Sequence, residues 1–116
     1  MQKVEYFIYL SNDLTDRLRV NANKHNGEIL EFVVQYEAKI GGKWQAIVRY
    51  DTAHGFAHKD VLNPDNTATK YPIYFQTYNL AMTFATLDLK ANWKQFKKQY
   101  EQKRNNDKGR NSKKES

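Results

Sequence analysis

Side chains that can transfer protons or hold charge are concentrated in one short stretch of the chain, residues 49–60. Its sequence is Arg-Tyr-Asp-Thr-Ala-His-Gly-Phe-Ala-His-Lys-Asp, with two of the chain's three histidines, two aspartates, an arginine and a lysine. Segments that serve only the fold rarely concentrate such groups, because each one needs solvent or a partner. General acids, bases and charge stabilisers must instead converge on one reacting atom. We therefore take residues 49–60 as the candidate functional site.

The first chemistry that these residues suit is metal-independent RNA cleavage. The 2′-hydroxyl of the substrate is then the nucleophile, and the protein supplies a base, an acid and a cation for the charge on the phosphorane. His54 and His58 are the candidate base and acid, and Arg49 or Lys59 is the candidate cation. Asp51 completes the catalytic set as a carboxylate beside the imidazole and the guanidinium. This hypothesis requires no metal and no cofactor.

Two other interpretations use the same residues. In metal-assisted hydrolysis the side chains with oxygen or nitrogen ligand atoms would hold the ion. These are Asp51, His54, His58 and Asp60. In the third interpretation the stretch carries no chemistry. Arg49 and Asp51 then form a surface ion pair, and the histidines line a contact with RNA or protein.

The geometry of the site depends on how two predicted strands pair. A strand over residues 43–51 leads into the stretch, and a strand over residues 56–62 leads out of it. One antiparallel register places Arg49 opposite His58, whereas a slip of one residue would pair Tyr50 with His58. The first register brings four side chains to one face, with His54 at its rim: Arg49, Asp51, His58 and Asp60.

The rest of the chain predicts the sheet that carries this hairpin. Aromatic, β-branched or alternating segments indicate strands at residues 4–10, 17–22, 28–40, 43–50, 56–62 and 67–73. Gly41 and Gly42 form the turn between the two central strands. Strict alternation places Trp44 on the same face as Val48 and Tyr50.

From residue 78 the apolar spacing changes to steps of three and four, which predicts one amphipathic helix over residues 78–104. Its apolar stripe contains Met82, Ala85, Leu89, Trp93, Phe96 and Tyr100, widened by Leu80, Phe84, Leu87 and Ala91. The predicted fold class is α+β, a curved antiparallel sheet of five or six strands packed on one long C-terminal helix. Residues 1–104 form a single domain, and residues 105–116 form a disordered basic tail.

The net charge of +6 is unevenly distributed along the 116 residues. Residues 97–116 contain eight Lys or Arg against three Asp or Glu, a net +5, which leaves +1 for residues 1–96. A basic end suits a polyanion such as RNA. The candidate substrate-binding cations are Lys59, Lys97, Lys98, Lys103 and Arg104. The chain has no cysteine and no apolar run of the ~20 residues that a membrane span needs. We therefore expect a cytoplasmic protein without a membrane partner.

Residues 48–58 resemble a motif of a known family. The run Val-Arg-Tyr-Asp-Thr-Ala-His-Gly-Phe-Ala-His is similar to the Arg-Tyr-Asp-x-Ala-His stretch of the TumE-like small toxins of prokaryotic toxin–antitoxin operons. The resemblance implies a growth-inhibiting toxin that acts on RNA and is held by a cognate antitoxin. The matching positions are Arg49, Asp51, His54 and His58. Two departures are Thr52, where that family often has Asn, and the absence of any histidine after His58.

The competing prediction comes from another functional class. A non-catalytic protein, such as an antitoxin or accessory protein, would bind RNA or a protein through its basic helix end and tail. A homodimer is compatible with either prediction. The sequence therefore locates a candidate site more sharply than it identifies a reaction.

Overall fold

Six strands and one long helix make up the computed structural model of this chain, which describes the backbone of residues 1–115 and the side chains of residues 1–108. The elements are β1 (Gln2–Tyr9), β2 (Asp16–His25), β3 (Glu28–Ile40), β4 (Lys43–Asp51), β5 (His58–Leu62), β6 (Ala68–Pro72) and α1 (Tyr78–Glu115). The strands form one antiparallel sheet in the order of the sequence. A short 3₁₀ turn, Ala53–Gly55, interrupts the connection from β4 to β5. The predicted α+β architecture is confirmed.

The core lies between α1 and one face of the sheet. The alternation of β2 and β3 buries apolar side chains on this face, among them Leu18, Val20, Phe32, Val34 and Tyr36. From the helix, Ala81, Ala85 and Leu89 pack against them. The opposite face, which we call the open face, has no second layer within the described part of the chain. It carries mostly polar and charged side chains of β2 to β5, so any site on it is held by the sheet alone.

A tyrosine–aspartate pair fastens the middle of α1 to the core. Tyr36 on β3 donates a hydrogen bond of 2.6 Å to Oδ1 of Asp16 on β2. The Nζ atom of Lys97 on α1 lies 3.2 Å from the same carboxylate oxygen. Burial, and then the hydrogen bond to Asp16, raise the pKa of Tyr36 far above its usual value. The hydroxyl therefore stays a donor, and the buried carboxylate is satisfied from both sheet and helix.

A second pair of the same kind anchors the helix to β4 and β5. Tyr50 donates a hydrogen bond of 2.5 Å to Oδ2 of Asp88 on α1. The Nζ atom of Lys59 on β5 lies 3.5 Å from that oxygen. Burial, followed by the hydrogen bond to Asp88, raises the pKa of Tyr50. Sheet and helix are thus joined by two buried polar contacts as well as by apolar packing.

A β-bulge in β4 overturns one prediction about its faces. Tyr36 pairs with Val48 and Glu37 pairs with Ala46, which leaves Ile47 as an extra residue on β4. Ile47 and Val48 are both buried, so the alternation of β4 is reversed at this point. Trp44 therefore lies on the open face with Arg49, and the prediction that it shares a face with Val48 and Tyr50 was wrong.

The helix differs from its prediction in two respects. All four residues that were expected to widen its apolar stripe are exposed: Leu80, Phe84, Leu87 and Ala91. Ala81 is buried instead, because a single sheet covers only a narrow strip of the helix. The helix also continues past residue 104 through residues 105–108, where no glycine or proline interrupts it. The rest of the predicted disordered tail, residues 109–116, lies outside the side chains that the structure describes.

No helix in the described part of the chain is both long enough and apolar enough to cross a membrane.

Candidate active site

The candidate site is built on the pairing of β4 with β5. Asp51 lies directly opposite His58, and Arg49 lies opposite Asp60. The sequence had favoured Arg49 opposite His58, so the true register is displaced by two residues. The sequence predicts a turn of four residues, 52–55, between the two strands. The observed connection has six residues, 52–57, because β5 begins at His58, and it contains the 3₁₀ turn Ala53–Gly55. Because a shift of two residues preserves the alternation, the same side chains still share the open face.

Asp51, His58 and Asp60 form a buried group that we call the Asp–His–Asp cluster. The Nε2 atom of His58 is 2.8 Å from Oδ1 of Asp51 and 3.7 Å from Oδ2 of Asp60. The exposed fractions of the three residues are 9% for Asp51, 4% for His58 and 6% for Asp60. The other ring nitrogen of His58, Nδ1, faces the carbonyl oxygen of Phe56 at 3.4 Å. Two carboxylates thus converge on one imidazole nitrogen away from bulk solvent.

The two carboxylates of the cluster are satisfied unequally. Oδ1 of Asp51 also accepts a hydrogen bond of 3.1 Å from the backbone N–H of Ala53. Oδ1 of Asp60 is buried and has no hydrogen-bond partner among the described residues. A buried acceptor without a donor costs about 1–3 kcal/mol, and more when it is charged. The described residues therefore do not satisfy all the hydrogen-bond acceptors of the cluster.

A row of polar side chains crosses the open face from β4 to β2. Arg49 donates from Nε to Oε1 of Gln35 at 2.7 Å, and Gln35 donates from Nε2 to Oε2 of Glu37 at 2.6 Å. Arg17 on β2 closes the row with an ion pair of 2.8 Å to Oε1 of Glu37. Arg49 uses only Nε in this row, since no hydrogen bond from its Nη atoms occurs among the described residues. Its outer guanidinium edge is therefore open to a ligand.

Aromatic rings on the open face extend this row toward the sheet edge. The guanidinium carbon of Arg17 is 3.7 Å from the ring centre of Trp44 and 4.3 Å from that of Phe7. Phe7 and Tyr9 on β1 are 48% and 47% exposed. These residues are not part of the site that the sequence predicts. Phe7 and Tyr9 could have been found from the alternation of β1 and β2, which places aromatic residues and arginines on one face. Trp44 could not, because the bulge that turns it to this face has no clear sequence signature.

A cleft of about 470 Å³ lies on the open face next to the cluster. It runs across β1 to β4, and its lining includes Arg19, Asn21, Asn23, Val33, Asp51 and Thr52. Asp51 therefore belongs both to the cleft wall and to the Asp–His–Asp cluster. A ligand in this cleft would reach the cluster from the side of Asp51.

His54 takes a different position from the other predicted catalytic residues. It lies in the 3₁₀ turn at a φ of +70°, and its side chain is exposed. The centre of its ring is 6.2 Å from that of His58. The structure thus brings Arg49, Asp51, His54 and His58 together, with His54 exposed, Arg49 half-buried, and Asp51 and His58 buried. The ligand atoms of Asp51, His58 and Asp60 lie within 4.8 Å of one another, and His54 does not belong to this group.

The predicted substrate-binding cations are not gathered at this site. Lys59 lies between two open-face residues of β5, so alternation directs it to the helix side, where it contacts Asp88. Lys97 pairs with Asp16, and Lys103 donates to Oδ1 of Asn63 at 2.9 Å. Lys98 and Arg104 also belong to α1, on the side away from the open face. The cations on the open face include Arg49 beside the cluster, Arg19 and Lys3 in the cleft, and Arg17, which pairs with Glu37.

The family model for DUF7718, a domain of unknown function, matches residues 1–106. The chain belongs to this family. No curated protein and no solved structure gives a significant match. The family match covers every strand and α1 as far as residue 106, so the candidate site lies wholly within it. It assigns no activity, and the resemblance to the TumE-like toxins stays a prediction.

In this DUF7718 chain the two histidines suit different chemical tasks. Both ring nitrogens of His58 face acceptors within the protein, so His58 can transfer a proton to a ligand only by giving up one of these contacts. His54 has an exposed imidazole at the rim, and no hydrogen bond occupies its ring nitrogens in the described part of the structure. The arrangement offers an accessible imidazole, an open guanidinium edge at Arg49 and a buried anionic cluster between them.

Proposed function

We propose that this chain is an RNA-cleaving enzyme, the toxin of a prokaryotic toxin–antitoxin pair that acts in the cytoplasm. The observation that carries the proposal is the position of Arg49 beside the Asp–His–Asp cluster, on a sheet face that no second layer covers. Catalytic groups must reach their substrate. A ligand in the open cleft can reach the buried cluster through Asp51, and the free guanidinium edge of Arg49 lies beside the cluster.

RNA suits the open face because the face offers both of the contacts that a single strand uses. Exposed aromatic rings and arginine planes stack on unpaired bases, and arginines contact the phosphates. Phe7 and Tyr9 provide exposed rings at one end of the face, and the guanidinium carbon of Arg17 lies 3.7 Å from the ring centre of Trp44 beside them. Arg19 and Lys3 line the cleft together with Glu5 and Glu31, and Arg49 lies next to the cluster. A bound strand would therefore run from β1 toward β5.

The roles of the catalytic residues follow from their positions. Arg49 binds the non-bridging phosphate oxygens through its outer guanidinium edge, where negative charge develops in the transition state. His54 is the accessible base for the 2′-hydroxyl of the substrate. As His54 takes the proton of the 2′-hydroxyl, its oxygen attacks phosphorus and the bond to the 5′-oxygen breaks. The leaving 5′-oxygen takes a proton from water, and the other product carries a 2′,3′-cyclic phosphate. His58 and Asp51 lie below the reacting phosphate and position the groups around it through their contact with each other.

A non-catalytic binding role is the second candidate, and the apolar surface of α1 favours it. Phe75 just before α1 and Phe84 on it are exposed, with ring centres 5.2 Å apart and planes tilted by 39°, and Leu80 and Leu87 on α1 are exposed too. Contiguous exposed apolar residues are typical of protein contact surfaces. If the chain is a toxin, this surface is suited to the cognate antitoxin or to a second copy of the chain. If it is an accessory protein, the same surface is its main functional feature.

Cleavage of RNA by purified protein separates the two candidates. The substrate is a 5′-labelled single-stranded RNA, and its products are resolved by gel electrophoresis and tested for a 2′,3′-cyclic end. Arg49→Ala and His54→Ala should each lower the rate by roughly 10²–10⁴, because each removes a transition-state contact or a proton-transfer group. The matched control is His25→Ala, which removes an exposed histidine at the end of β2, far along the sheet. Absence of cleavage, together with unchanged growth inhibition by the Arg49 and His54 variants, would leave the binding role.

A further inference from the structure

The Asp–His–Asp cluster has the donor set of a metal site. We propose that Asp51, His58 and Asp60 bind one divalent transition-metal cation, such as Zn²⁺ or Mn²⁺. One ligand atom from each residue lies within 4.8 Å of the other two, and all three residues are at most 9% exposed. The inference concerns the same site as the proposed function, but it does not depend on RNA being the substrate.

The orientation of His58 is the first independent observation. Its Nδ1 atom faces the carbonyl oxygen of Phe56, whereas Nε2 faces the two carboxylates. Histidines that bind metals commonly donate one ring N–H to a carbonyl or carboxylate, which fixes the tautomer and presents the other nitrogen to the ion. Nδ1–H donating to Phe56 leaves Nε2 with a lone pair. Without a metal the ring must carry a second proton, with Nε2–H donating to Oδ1 of Asp51, or the lone pairs of the two atoms face each other; a metal ion takes the place of that proton.

The unpartnered oxygen of Asp60 is the second observation. Oδ1 of Asp60 has no donor in the described residues, although the side chain is more than nine-tenths buried. Arg49 lies opposite Asp60 in the register, yet no ion pair within 4.0 Å joins the two among the described residues. A buried carboxylate without a cation is strongly unfavourable. A metal ion between the three ligands would satisfy this oxygen and neutralise both carboxylates.

The ligand types indicate which cations fit. Imidazole suits zinc, iron, copper and nickel, whereas carboxylates also suit manganese and magnesium. Metal–ligand bonds of about 2.0–2.2 Å place neighbouring ligand atoms roughly 3–3.5 Å apart. The observed separations of 2.8 Å and 3.7 Å from Nε2 of His58 bracket this range. Three protein ligands leave at least one coordination position open, and Asp51 connects the cluster to the cleft from which a water or a phosphate oxygen could fill it.

The metal changes what the site contributes to the proposed cleavage. A cation at this position acts as a Lewis acid toward a phosphate oxygen from the cleft. His54 lies outside the ligand group and remains available for proton transfer. Of the four ligands in the sequence-based metal hypothesis, the geometry retains Asp51, His58 and Asp60.

Binding of the metal alone tests the inference without RNA. Protein stripped with EDTA and dialysed is titrated with ZnCl₂ and, separately, with MnCl₂ by calorimetry. One equivalent should bind, and Asp60→Asn should weaken the affinity at least tenfold. The matched control is Glu5→Gln, which removes a carboxylate from the rim of the same cleft but outside the cluster, and it should bind as the wild type does. Equal affinities of wild type and Asp60→Asn would overturn the inference.

A second measurement uses the wild-type protein and so does not depend on how the variants fold. The chain has three histidines, and their imidazole ¹⁵N signals can be followed through the Zn²⁺ titration. The Nε2 signal of His58 should shift at one equivalent, before those of His25 and His54. First shifts at His25 or His54, or no binding at millimolar metal, would contradict the proposed site. Metal binding without RNA cleavage would leave the inference intact and remove the proposed function, whereas full cleavage activity in EDTA without metal binding would do the reverse.

Discussion

Asp51 faces His58 directly across β4 and β5, with Oδ1 of the aspartate 2.8 Å from Nε2 of the histidine. This contact joins the end of one strand to the start of the next, across the 3₁₀ turn that carries His54. Both residues are buried, so the pair supports the local fold as well as any chemistry. Removing either side chain should therefore affect stability, which the sequence alone did not indicate.

His58→Ala should destabilise the protein by roughly 3 kcal/mol or more, because it leaves two buried carboxylates without their shared partner. His54→Ala removes an exposed side chain from the neighbouring 3₁₀ turn and should change the free energy of unfolding by less than about 0.5 kcal/mol. Urea denaturation followed by circular dichroism measures both values. If His58→Ala is as stable as His54→Ala, the contact with Asp51 is not formed in solution.

Phe7→Ala should weaken the binding of single-stranded RNA, because the ring is exposed on the open face beside Arg17. Loss of one stacking platform costs about 1–3 kcal/mol, which corresponds to a roughly 5- to 150-fold rise in Kd. Tyr6→Ala removes an exposed ring from the same strand but from the helix side, and it provides the control. Fluorescence anisotropy with a labelled oligonucleotide measures both. Equal losses for the two variants would place the RNA elsewhere.

The sequence was sufficient to predict the sheet because the alternation in β2 and β3 reflects the burial of apolar side chains on the helix-facing side. The long strand β3 has the predicted bounds, residues 28–40. The bulge at Ile47 was not predictable, since an extra residue in a strand depends on how the neighbouring residues pair across the sheet, here Ala46 with Glu37 and Val48 with Tyr36, rather than on local propensity. That single residue decides on which face Trp44 lies.

The site was partly predictable because its residues also follow the alternation of the strands. Residues of equal parity in β4 and β5 had to share a face if the strands paired, and Arg49, Asp51 and His58 do so. The burial of His58 could not be inferred, because it depends on the 3₁₀ turn and on Phe56, whose ring centre lies 5.5 Å from that of His58. The sequence also does not show that Lys59 and Lys97 hold the helix to the sheet. A lysine that pairs with an aspartate of the same chain cannot be told by residue type from one that binds a partner.

Trp93→Ala should cost about 3 kcal/mol of unfolding free energy. Trp93 packs against the core, and its ring meets that of buried Tyr36 edge to face, with centres 6.0 Å apart. Leu87→Ala is the control on the same helix, because Leu87 is 61% exposed and its truncation should cost less than about 0.5 kcal/mol. Thermal and urea unfolding measure the difference. Similar costs for the two variants would mean that α1 is rotated relative to the sheet.

The stability of the protein should fall steeply above pH ~10, owing to Tyr36 and Tyr50. Burial and their hydrogen bonds to Asp16 and Asp88 raise the pKa of both hydroxyls in the folded state. Their contribution is fully present below the unfolded pKa of about 10, and it is lost as pH rises further, because only the unfolded tyrosines then release protons. Each tyrosine adds a slope of about −1.4 kcal/mol per pH unit to the unfolding free energy in this range.

Tyr36→Phe removes one of these ionisations, so its unfolding free energy should decline less steeply than that of the wild type from pH 10 to 11.5. At pH 7 the variant should be less stable by about 1 kcal/mol, because it loses the hydrogen bond to Asp16. Tyr74→Phe is the control, since Tyr74 is exposed and its hydroxyl makes no hydrogen bond to another described residue. Urea titrations at intervals of half a pH unit give the slopes. Parallel curves for wild type and Tyr36→Phe would show that the hydroxyl of Tyr36 ionises as freely in the folded chain as in the unfolded one.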